Sequence, residues 1–408
     1  MYSDANAIMS ACLREAKPGP SVARALAGLP LPRGRIVPIA VGKAARDMAA
    51  AARETTGSRM ESGILLTKYG HGCDGVPGFI LREAGHPVPD ENGLRASQEI
   101  LTLTQDLGPD DCVLLLLSGG GSALFEKPLI PPQELYDLNR RLLACGASIR
   151  EINTLRKRLS AVKGGRFAEW VAPARIVTVA LSDVLGDEPG DIASGPACPD
   201  RSTCEDAARI CEKYALELSP KAKLLLRRET PKFLPNASVI LCGGVGALCE
   251  TARRTAEGLG YETFLLTSSL SCEAREAGAF LGAIARSHQN ASRSLCCIAG
   301  GETVVHVNGR GRGGRSQELA LAAAREIAGC RNTLVFSLAS DGTDGPTDAA
   351  GGIVDGTTLT SLASAGLDID RVLADNDAYT ALNAVSALIK TGPTGTNVND
   401  VSVVLIKR

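Results

Sequence analysis

Short apolar runs that end in glycine, serine or an acidic residue alternate along this chain with longer alanine-rich segments. Six such runs cover residues 36–41, 112–117, 176–181, 239–242, 295–299 and 334–339. Continuous apolar runs of this length are typical of strands buried on both faces, as in parallel sheets covered by helices. The segments between them are mostly long enough for crossover helices. The pattern therefore predicts an α/β protein with doubly wound, mainly parallel sheets.

The chain is long enough for more than one domain. Its 408 residues would form two or three domains at ~100–200 residues each. Pro231 and Pro235 follow a short helical stretch at 220–228 and prevent its continuation. We therefore predict an N-terminal Rossmann-like α/β domain over 1–232 and a C-terminal α/β domain over 233–408.

Charge and composition exclude several classes of function. Lys and Arg total 44 and Asp and Glu total 45, which gives a net charge of -1 and argues against binding to nucleic acid through its phosphates. Aromatic residues make up 3% of the chain, so a base-stacking platform is not expected. No apolar run approaches the ~20 residues that span a bilayer, and no signal peptide pattern is seen. The sequence predicts a cytoplasmic protein that binds no membrane.

The cysteines do not indicate a function. There are 13, scattered without a CxxC pair, and only four histidines accompany them. Disulfide scaffolds and zinc sites need tighter clustering than this. We predict ordinary reduced thiols, since buried free cysteine behaves as a small hydrophobic residue.

Two glycine-bearing segments in the first half of the chain follow predicted strands. Ser118, Gly119, Gly120, Gly121 and Ser122 come directly after the run 112–117. Their backbone N–H groups could bind phosphate or carboxylate at the start of a helix, although a plain tight turn would have the same sequence.

Lys43 comes after the run 36–41, where a helix begins. A cation there opposes the helix dipole unless an anion is bound, which favours a phosphate contact over a solvated lysine.

Two further segments carry cations. Asn153, Arg156 and Lys163 belong to a basic helical segment that is either a solvated face or a source of cations for a cleft. Gly313 and Gly314 end an arginine-bearing glycine loop and precede Arg315. Arginine at the end of such a loop suits fork-like binding of phosphate or carboxylate.

Acidic side chains also cluster after predicted strands. Asp183 and Asp187 follow the run 176–181, and Asp183 is the better placed to hold Mg²⁺ or to accept a proton. The same layout recurs in the second half of the chain, with Glu302, Thr303, Asp341, Gly342 and Asp344. Cations and carboxylates on strand-end loops suit phosphoryl transfer, which depends on positioning and electrostatics more than on covalent chemistry.

Common alternative motifs are absent or incomplete. The sequence contains no GxxxxGK[ST] loop, no protein-kinase motif set and no GxSxG. Gly244 and Gly246 form only a partial dinucleotide fingerprint, because Cys249 occupies the third glycine position.

Eight motifs in order identify a family resemblance. They are VGKAA, GHPVPDENG, SGGGSAL, NTLRKRLSAVKGGR, LSDVLGDEPGDIASGP, GGETVVHVNGRGRGGRSQELAL, SDGTDGPTDAAGG and TGPTGTNVND. With these motifs the chain resembles class II glycerate kinases, which carry a MOFRL-type C-terminal domain. The resemblance implies two Rossmann-like domains with an interdomain cleft. It also implies ATP-dependent, Mg²⁺-assisted phosphorylation of D-glycerate to 2-phosphoglycerate.

The resemblance also implies roles for individual residues. Lys43 and Arg315 match the family's essential lysine and arginine. We expect Lys43 to contact the transferring phosphoryl group, Arg315 the glycerate carboxylate or γ-phosphate, and Asp183 the metal or the attacking hydroxyl. The wider predicted site comprises substrate or phosphate residues (Ser118, Gly119, Gly120, Gly121, Ser122, Asn153, Arg156, Lys163, Gly313, Gly314), nucleotide residues (Glu302, Thr303, Asp341, Gly342, Asp344) and metal residues (Asp183, Asp187).

Two other functions stay open at this point. Some members of the family have been named hydroxypyruvate reductases, which would make this an NAD(P)H-dependent oxidoreductase. The incomplete dinucleotide fingerprint and the many cations argue against that function. A non-catalytic protein that senses sugar acids or nucleotides is the third possibility. The small-molecule partners expected are D-glycerate and ATP, and the protein is expected to be a monomer or a homodimer.

Overall fold

A computed structural model describes residues 1–30, 32–72 and 75–408. Its strands are β1 (Ile36–Val41), β2 (Gly63–Lys68), β3 (Phe79–Ala84), β4 (Cys112–Leu117), β5 (Arg175–Leu181), β6 (Ala237–Gly243), β7 (Glu262–Leu270), β8 (Leu295–Gly301), β9 (Thr333–Ala339), β10 (Gly351–Asp355), β11 (Leu388–Ile389) and β12 (Asp400–Ile406). Its helices are α1 (Tyr2–Ala16), α2 (Pro18–Ala27), α3 (Ala45–Thr56), α4 (Glu91–Leu103), α5 (Gly121–Leu124), α6 (Pro132–Ala144), α7 (Ile149–Leu159), α8 (Arg166–Val171), α9 (Cys204–Lys213), α10 (Pro220–Leu226), α11 (Val245–Gly258), α12 (Ala274–Ser287), α13 (Arg315–Glu326), α14 (Thr358–Ser364), α15 (Ile369–Ala374) and α16 (Ala378–Ala384). Each of the six predicted apolar runs lies within one of these strands.

The chain divides into two compact units, each with its own sheet. The first unit comprises residues 18–182 and 188–242, and the second comprises residues 1–17, 183–187 and 243–408. The prediction of an α/β protein with two such bodies is confirmed.

The predicted boundary at 232/233 does not coincide with this division. Strand β6 joins the first sheet, and α1 packs on α11 in the second unit, where Cys12 Sγ donates to Leu248 O at 3.7 Å. Prolines mark a break in the chain, whereas membership of a unit depends on long-range packing. The boundary between the family domains stays a prediction.

The first sheet has the strand order β3-β2-β1-β4-β5-β6, and β1 to β5 pair with their neighbours in parallel. Strands β1 and β4 lie at the centre and are buried along their whole length, which explains their unbroken apolar sequences. Val41 pairs with Leu66 on one side and with Leu117 on the other. The loops that follow β1, β2 and β4 therefore lie side by side.

The second sheet has the order β11-β10-β9-β12-β8-β7 and is mixed. Strands β7 and β8 are parallel, and β12 runs antiparallel to both β8 and β9, between which it lies. Strand β10 is antiparallel to β9 and β11. Four of the six strands therefore share one direction, and the antiparallel pairing of β12 departs from the predicted pattern. An apolar run indicates a strand buried on both faces, but it does not indicate whether that strand runs parallel or antiparallel to its neighbours.

The antiparallel direction of β12 matters for the site. Asp400, its first residue, pairs with Gly301 and Ala339, the last residues of β8 and β9. The start of β12 therefore lies beside the loops that follow those two strands.

No helix in the described part of the chain is both long enough and apolar enough to cross a membrane. The cysteines at described positions are all free thiols, as predicted.

Candidate active site

Lys43 lies beside the glycine loop 118–122 in the first unit. The preceding Gly42 has φ +126°, and a methyl group there would lie 2.2 Å from Ser118 Oγ. Only glycine fits both the conformation and the space. The Lys43 N–H donates to Gly119 O at 2.9 Å, so the loop after β1 is bonded to the loop after β4. The structure thus brings together two segments that sequence analysis selected separately.

The glycine loop offers backbone donors rather than a helix dipole. Helix α5 has only four residues, too short for the macrodipole that the sequence interpretation assumed. The N–H groups of Gly119, Gly120 and Ser122 donate to no acceptor within the described residues. Gly121 is required by packing, since a methyl group there would lie 2.7 Å from Ala193 Cβ. The loop can therefore present three backbone donors to an anion.

Ser118 does not point to a ligand. It is 1% exposed, and its Oγ accepts the Ala44 N–H at 3.0 Å. The hydroxyl thus binds the start of the helical segment after Lys43 to the end of β4. The hydroxyl therefore positions the loop, and the predicted ligand contact of Ser118 stays a prediction.

Lys163 is also a structural cation rather than a free one. It is completely buried, and its Nζ donates to Ser122 O and Phe125 O, both at 2.8 Å. Glu126 Oε2 lies 3.2 Å from the same atom and forms an ion pair with it. Burial lowers the pKa of Lys163 to about 8, against the opposing effect of Glu126. The cation therefore holds two backbone carbonyls at the glycine loop and the turn that follows it.

Arg156 and Asn153 contact the same loop. Arg156 Nη2 donates to Ser122 O at 3.1 Å. Asn153 acts through Ser194, whose Oγ donates to Asn153 Oδ1 at 3.1 Å and lies 2.9 Å from Ser122 Oγ. Both side chains thus orient Ser122 from helix α7.

Sequence reasoning missed Ser194. It lies in a turn where Ala193, Ser194 and Gly195 have φ of 51°, 60° and 63°. Non-glycine residues in this region cost of order 1–3 kcal/mol each, and surrounding structure must hold them there. Only the Ser-Gly-Pro tripeptide 194–196 hinted at a special turn, because strain of this kind is not visible in residue type.

In the second unit, a cavity of about 840 Å³ opens at the loops after β8 and β9. Most of the residues predicted for nucleotide and arginine-loop binding line it, namely Glu302, Thr303, Gly313, Gly314, Arg315, Asp341 and Asp344. Gly342 does not line it. With φ +81° and a methyl position 2.0 Å from Gly392 O, Gly342 is needed for a tight backbone approach. This packing accounts for the glycine, and its predicted nucleotide contact stays a prediction.

Arg315 is held by two carboxylates at the start of α13. Its Nε and Nη2 donate to Asp400 at 2.6 and 3.1 Å, and its Nη1 donates to Glu302 Oε1 at 2.5 Å. A guanidinium has five N–H groups, so two remain for a ligand. Asn399 supports the arrangement by donating from Nδ2 to Glu302 Oε2 at 3.1 Å. The fork is therefore oriented before any ligand binds.

Asp344 positions the helix that carries Arg315. Its carboxylate accepts the Ser316 N–H at 3.2 Å and the Gln317 N–H at 2.8 Å. These are N–H groups of the first turn of α13, which have no partner within the helix. Burial raises the pKa of Asp344, and these hydrogen bonds oppose the shift. Asp344 lines the cavity, but its oxygens are already used by the protein.

The glycine loop before Arg315 is anchored by Asp375, Asn376 and Asp377, which sequence analysis did not identify. Asn376 Oδ1 accepts the N–H groups of Asn308 and Gly309 at 2.8 and 3.0 Å. Its Nδ2 donates to Glu318 Oε2 in α13 at 3.1 Å. The carboxylates of Asp375 and Asp377 accept the N–H groups of residues 310 and 312, both at 2.9 Å. Most N–H groups of this loop are therefore bonded within the protein and are not available to an anion. The group that can bind an anion at the cavity is the side chain of Arg315.

Asp400 is a further residue that sequence analysis did not select. Burial raises the pKa of this carboxyl to about 7, and Asp344 and Glu302 add to the shift, whereas the hydrogen bonds and charge of Arg315 oppose it. The carboxylates of Asp400, Asp344 and Glu302 lie near the single guanidinium of Arg315. Because their negative charges exceed its positive charge, Asp400 retains a proton more readily than an isolated aspartate does. The motif ending in Asp400 is visible in the sequence, but its position beside Arg315 is set by strand pairing.

We expect this carboxyl to make folding stability pH-dependent. Its folded pKa lies above its ordinary value of 3.8, so the folded protein holds the proton more tightly. The stabilisation is complete below the ordinary value and is lost as the pH rises toward 7. Melting temperatures of the wild type and Asp400→Asn, measured across this range, should show the wild-type advantage shrinking with rising pH. A difference that stays constant would contradict the shift.

Asp183 and Asp187 are the predicted metal ligands, and they lie in the second unit. Asp183 O accepts from Asn399 Nδ2 at 3.2 Å. Asp187 Oδ1 is buried without a hydrogen-bond partner, and a methyl group at Gly244 would lie 2.4 Å from it. No group of three His, Cys, Asp or Glu side chains at described positions forms a complete metal cage. An orphaned carboxylate oxygen fits a Mg²⁺ ion held by one or two carboxylates and by ligand phosphates.

Comparison with known proteins adds to this geometry. Residues 4–227 match a family model described as a domain of unknown function, DUF4147, and residues 295–400 match the MOFRL family. A D-glycerate 2-kinase of Thermotoga maritima is 51% identical over 378 residues, covering 91% of each chain. A solved glycerate kinase structure from the same organism has a TM-score of 0.94 at 48% identity and covers 99% of each chain. A protein of Agrobacterium vitis named putative hydroxypyruvate reductase is 40% identical, over 92% of this chain and 88% of its own.

Proposed function

Because this chain belongs to the family of glycerate kinases that carry a MOFRL domain, we propose that it transfers a phosphoryl group from ATP to the 2-hydroxyl of D-glycerate. The similarity to the Thermotoga kinase extends over nearly the whole chain, and Lys43 and Arg315 both follow glycine-bearing loops that come after strands. The observation that carries the proposal is the fork of Arg315, which is oriented by Asp400 and Glu302 and retains two unused N–H groups at a cavity.

The two sites would have different parts in the reaction. Lys43, a compact cation beside three backbone donors, would follow the charge on the transferring phosphoryl group. Arg315 would bind a carboxylate or phosphate oxygen through its remaining N–H groups. Glu302 and Asp400 would hold that guanidinium in place. Fixed charges of this kind stabilise the transition state without reorganising during the reaction.

Asp183 and Asp187 would hold the magnesium ion together with ligand phosphates. Bound Mg²⁺ neutralises charge on the phosphate oxygens during transfer. Asp183 is the candidate for accepting the proton of the attacking hydroxyl if it does not bind the metal. The cleft between domains, the cytoplasmic location and the monomeric or dimeric state stay predictions.

The reductase function has less support from the geometry. In dinucleotide-binding folds the pyrophosphate lies in front of the first glycine turn. Here the Asp187 carboxylate lies against Gly244, where its negative charge would repel that group.

The decisive experiment is a coupled assay with purified protein, D-glycerate, ATP and Mg²⁺. Enolase, added without a mutase, accepts 2-phosphoglycerate but not the 3-phosphate. We expect an enolase signal that needs both substrates. ATP consumption without that signal would contradict the position of transfer. Oxidation of NADH with hydroxypyruvate, and no consumption of ATP, would favour the reductase.

A further inference from the structure

Two lysines lie at the ends of neighbouring strands in the first unit. Lys43 follows β1, and Lys68 is the last residue of β2, which pairs with β1 in parallel. Neither ammonium forms an ion pair with any residue that the structure describes. Two cations placed this way repel each other unless an anion lies between them.

Two histidines lie in the same place. His71 Nδ1 is 3.4 Å from Lys43 O. A methyl group on Gly120 would lie 3.1 Å from His86 Nε2 and 3.4 Å from Lys43 Cγ. His86 and Lys43 therefore both lie next to the most exposed glycine of the 118–122 loop.

The charges around these imidazoles are positive. Burial lowers the pKa of His86, and repulsion from Lys43, Lys68 and His71 lowers it further. Burial and Lys68 also lower the pKa of His71, where Glu83 opposes the shift. That carboxylate accepts the N–H of residue 72 at 3.0 Å. Both imidazoles are thus neutral near pH 7, and each can donate one hydrogen bond.

Several hydrogen-bond donors lie at this end of the sheet, and together they suit a ligand group with several oxygens. Lys43 and the His86 imidazole lie next to Gly120, Lys68 is at the end of the adjacent strand β2, and the backbone N–H groups of Gly119, Gly120 and Ser122 have no acceptor among the described residues. A carboxylate has two oxygens and one charge, which would leave one ammonium uncompensated. A phosphate group has three oxygens and close to two charges.

We propose that Lys68 and His86, with Lys43 and the N–H groups of the 118–122 loop, bind a phosphate dianion. The inference rests on the proposed function, because it assigns the phosphoryl group to this site, and it adds two binding residues to Lys43. Lys68 supplies the second compensating charge, and the neutral His86 imidazole donates a hydrogen bond from its position next to Gly120. The same dianion could belong to the phosphorylated product or to the nucleotide.

The test is titration calorimetry of the whole protein with inorganic phosphate, 2-phosphoglycerate, D-glycerate and ADP. The variants are Lys68→Gln, Lys68→Arg, His86→Ala and His86→Gln, and the control is Lys221→Gln on the exposed surface of α10. A charge-assisted hydrogen bond corresponds to about a tenfold to hundredfold change in affinity. We expect Lys68→Gln and His86→Ala to weaken binding of phosphate and 2-phosphoglycerate by that factor, with D-glycerate binding unchanged. Lys68→Arg and His86→Gln, which keep a charge or a donor, should retain most of the affinity.

Unchanged affinity of these variants for phosphate and 2-phosphoglycerate would overturn the inference. An equal loss for D-glycerate would also overturn it, because the cluster would then bind the carboxylate. Melting temperatures identify any variant that fails to fold. If Lys68→Gln fails to fold, His86→Ala decides, and if His86→Ala fails, Lys68→Gln decides. Weaker binding of 2-phosphoglycerate but not ADP would assign the site to the product's phosphate, and the reverse would assign it to the nucleotide.

The enolase assay on the wild type separates this inference from the proposed function. A wild type that makes 2-phosphoglycerate, with variants that bind phosphate normally, would uphold the function and overturn the site. A wild type without kinase activity that still binds inorganic phosphate through Lys68 would uphold the site and overturn the function.

Discussion

Replacing Lys43 with alanine is expected to lower kcat for glycerate phosphorylation by about a thousandfold, the upper range for loss of one preorganised charge at a transition state. The groups beside the lysine are backbone N–H groups of the glycine loop. They carry no net charge, so they cannot replace the positive charge that the substitution removes. The enolase-coupled assay measures the effect. Lys223→Ala, on exposed helix α10, is the matched control and should keep wild-type activity.

The stability of the same variant distinguishes a functional from a structural role. Lys43 precedes α3, where a cation opposes the helix dipole. Its removal should leave the melting temperature unchanged or raise the unfolding free energy by about 0.3–1 kcal/mol. A large fall in melting temperature would show that the activity was lost through misfolding. Retained activity would remove Lys43 from the proposed reaction.

Replacing Arg315 with lysine is the second large effect, and we expect kcat/KM to fall by about 10³ or more. Lysine keeps the charge but cannot reproduce the fork that contacts Asp400 twice and Glu302 once. The assay is the same, with D-glycerate and ATP varied in turn to show which substrate the arginine contacts. Arg310→Ala is the matched control, since Arg310 is in the same glycine loop but does not line the cavity.

A second variant separates catalysis from stability at this site. Arg315→Ala removes the only guanidinium from a group of three carboxylates, which should destabilise the fold. Without Arg315, the carboxylates of Asp400, Asp344 and Glu302 repel one another with no cation between them. Adding Asp400→Asn to Arg315→Ala removes one of these negative charges and should restore much of the melting temperature. Activity should stay low in the double variant. Recovery of both would mean that Arg315 is only structural.

Function and the core of the fold could be predicted from the sequence because both depend on local patterns. The runs at 36–41 and 112–117 coincide with β1 and β4, since a strand buried on both faces has to be apolar throughout. Strand-end loops carry the ligand groups of α/β sheets, so Lys43 and Arg315 could be selected from their neighbours in sequence. The less apolar strands, such as β7 with its exposed edge, gave no such signal.

The environment of each candidate side chain could not be predicted in this way. Lys163 and Lys43 are both lysines near glycines, yet Lys163 is buried with three partners and Lys43 has no ion-pair partner among the residues described here. Ser118 and Ser122 flank the same three glycines, but only Ser118 is fully turned into the protein. Burial and partners come from residues distant in sequence.

The amino-acid sequence by itself determined the α/β class, the positions of the central strands, the family and the two cations on which the proposed reaction depends. Tertiary structure alone decided that β12 lies antiparallel between β8 and β9, which brings Asp400 to Arg315. It also decided that His86 lies beside Lys43 at Gly120, with Lys68 at the end of the adjacent strand, and that Asn376 connects the second glycine loop to α13. Local patterns depend on the chemistry of adjacent residues, whereas these contacts depend on strand order and register, which are set by the packing of the whole unit.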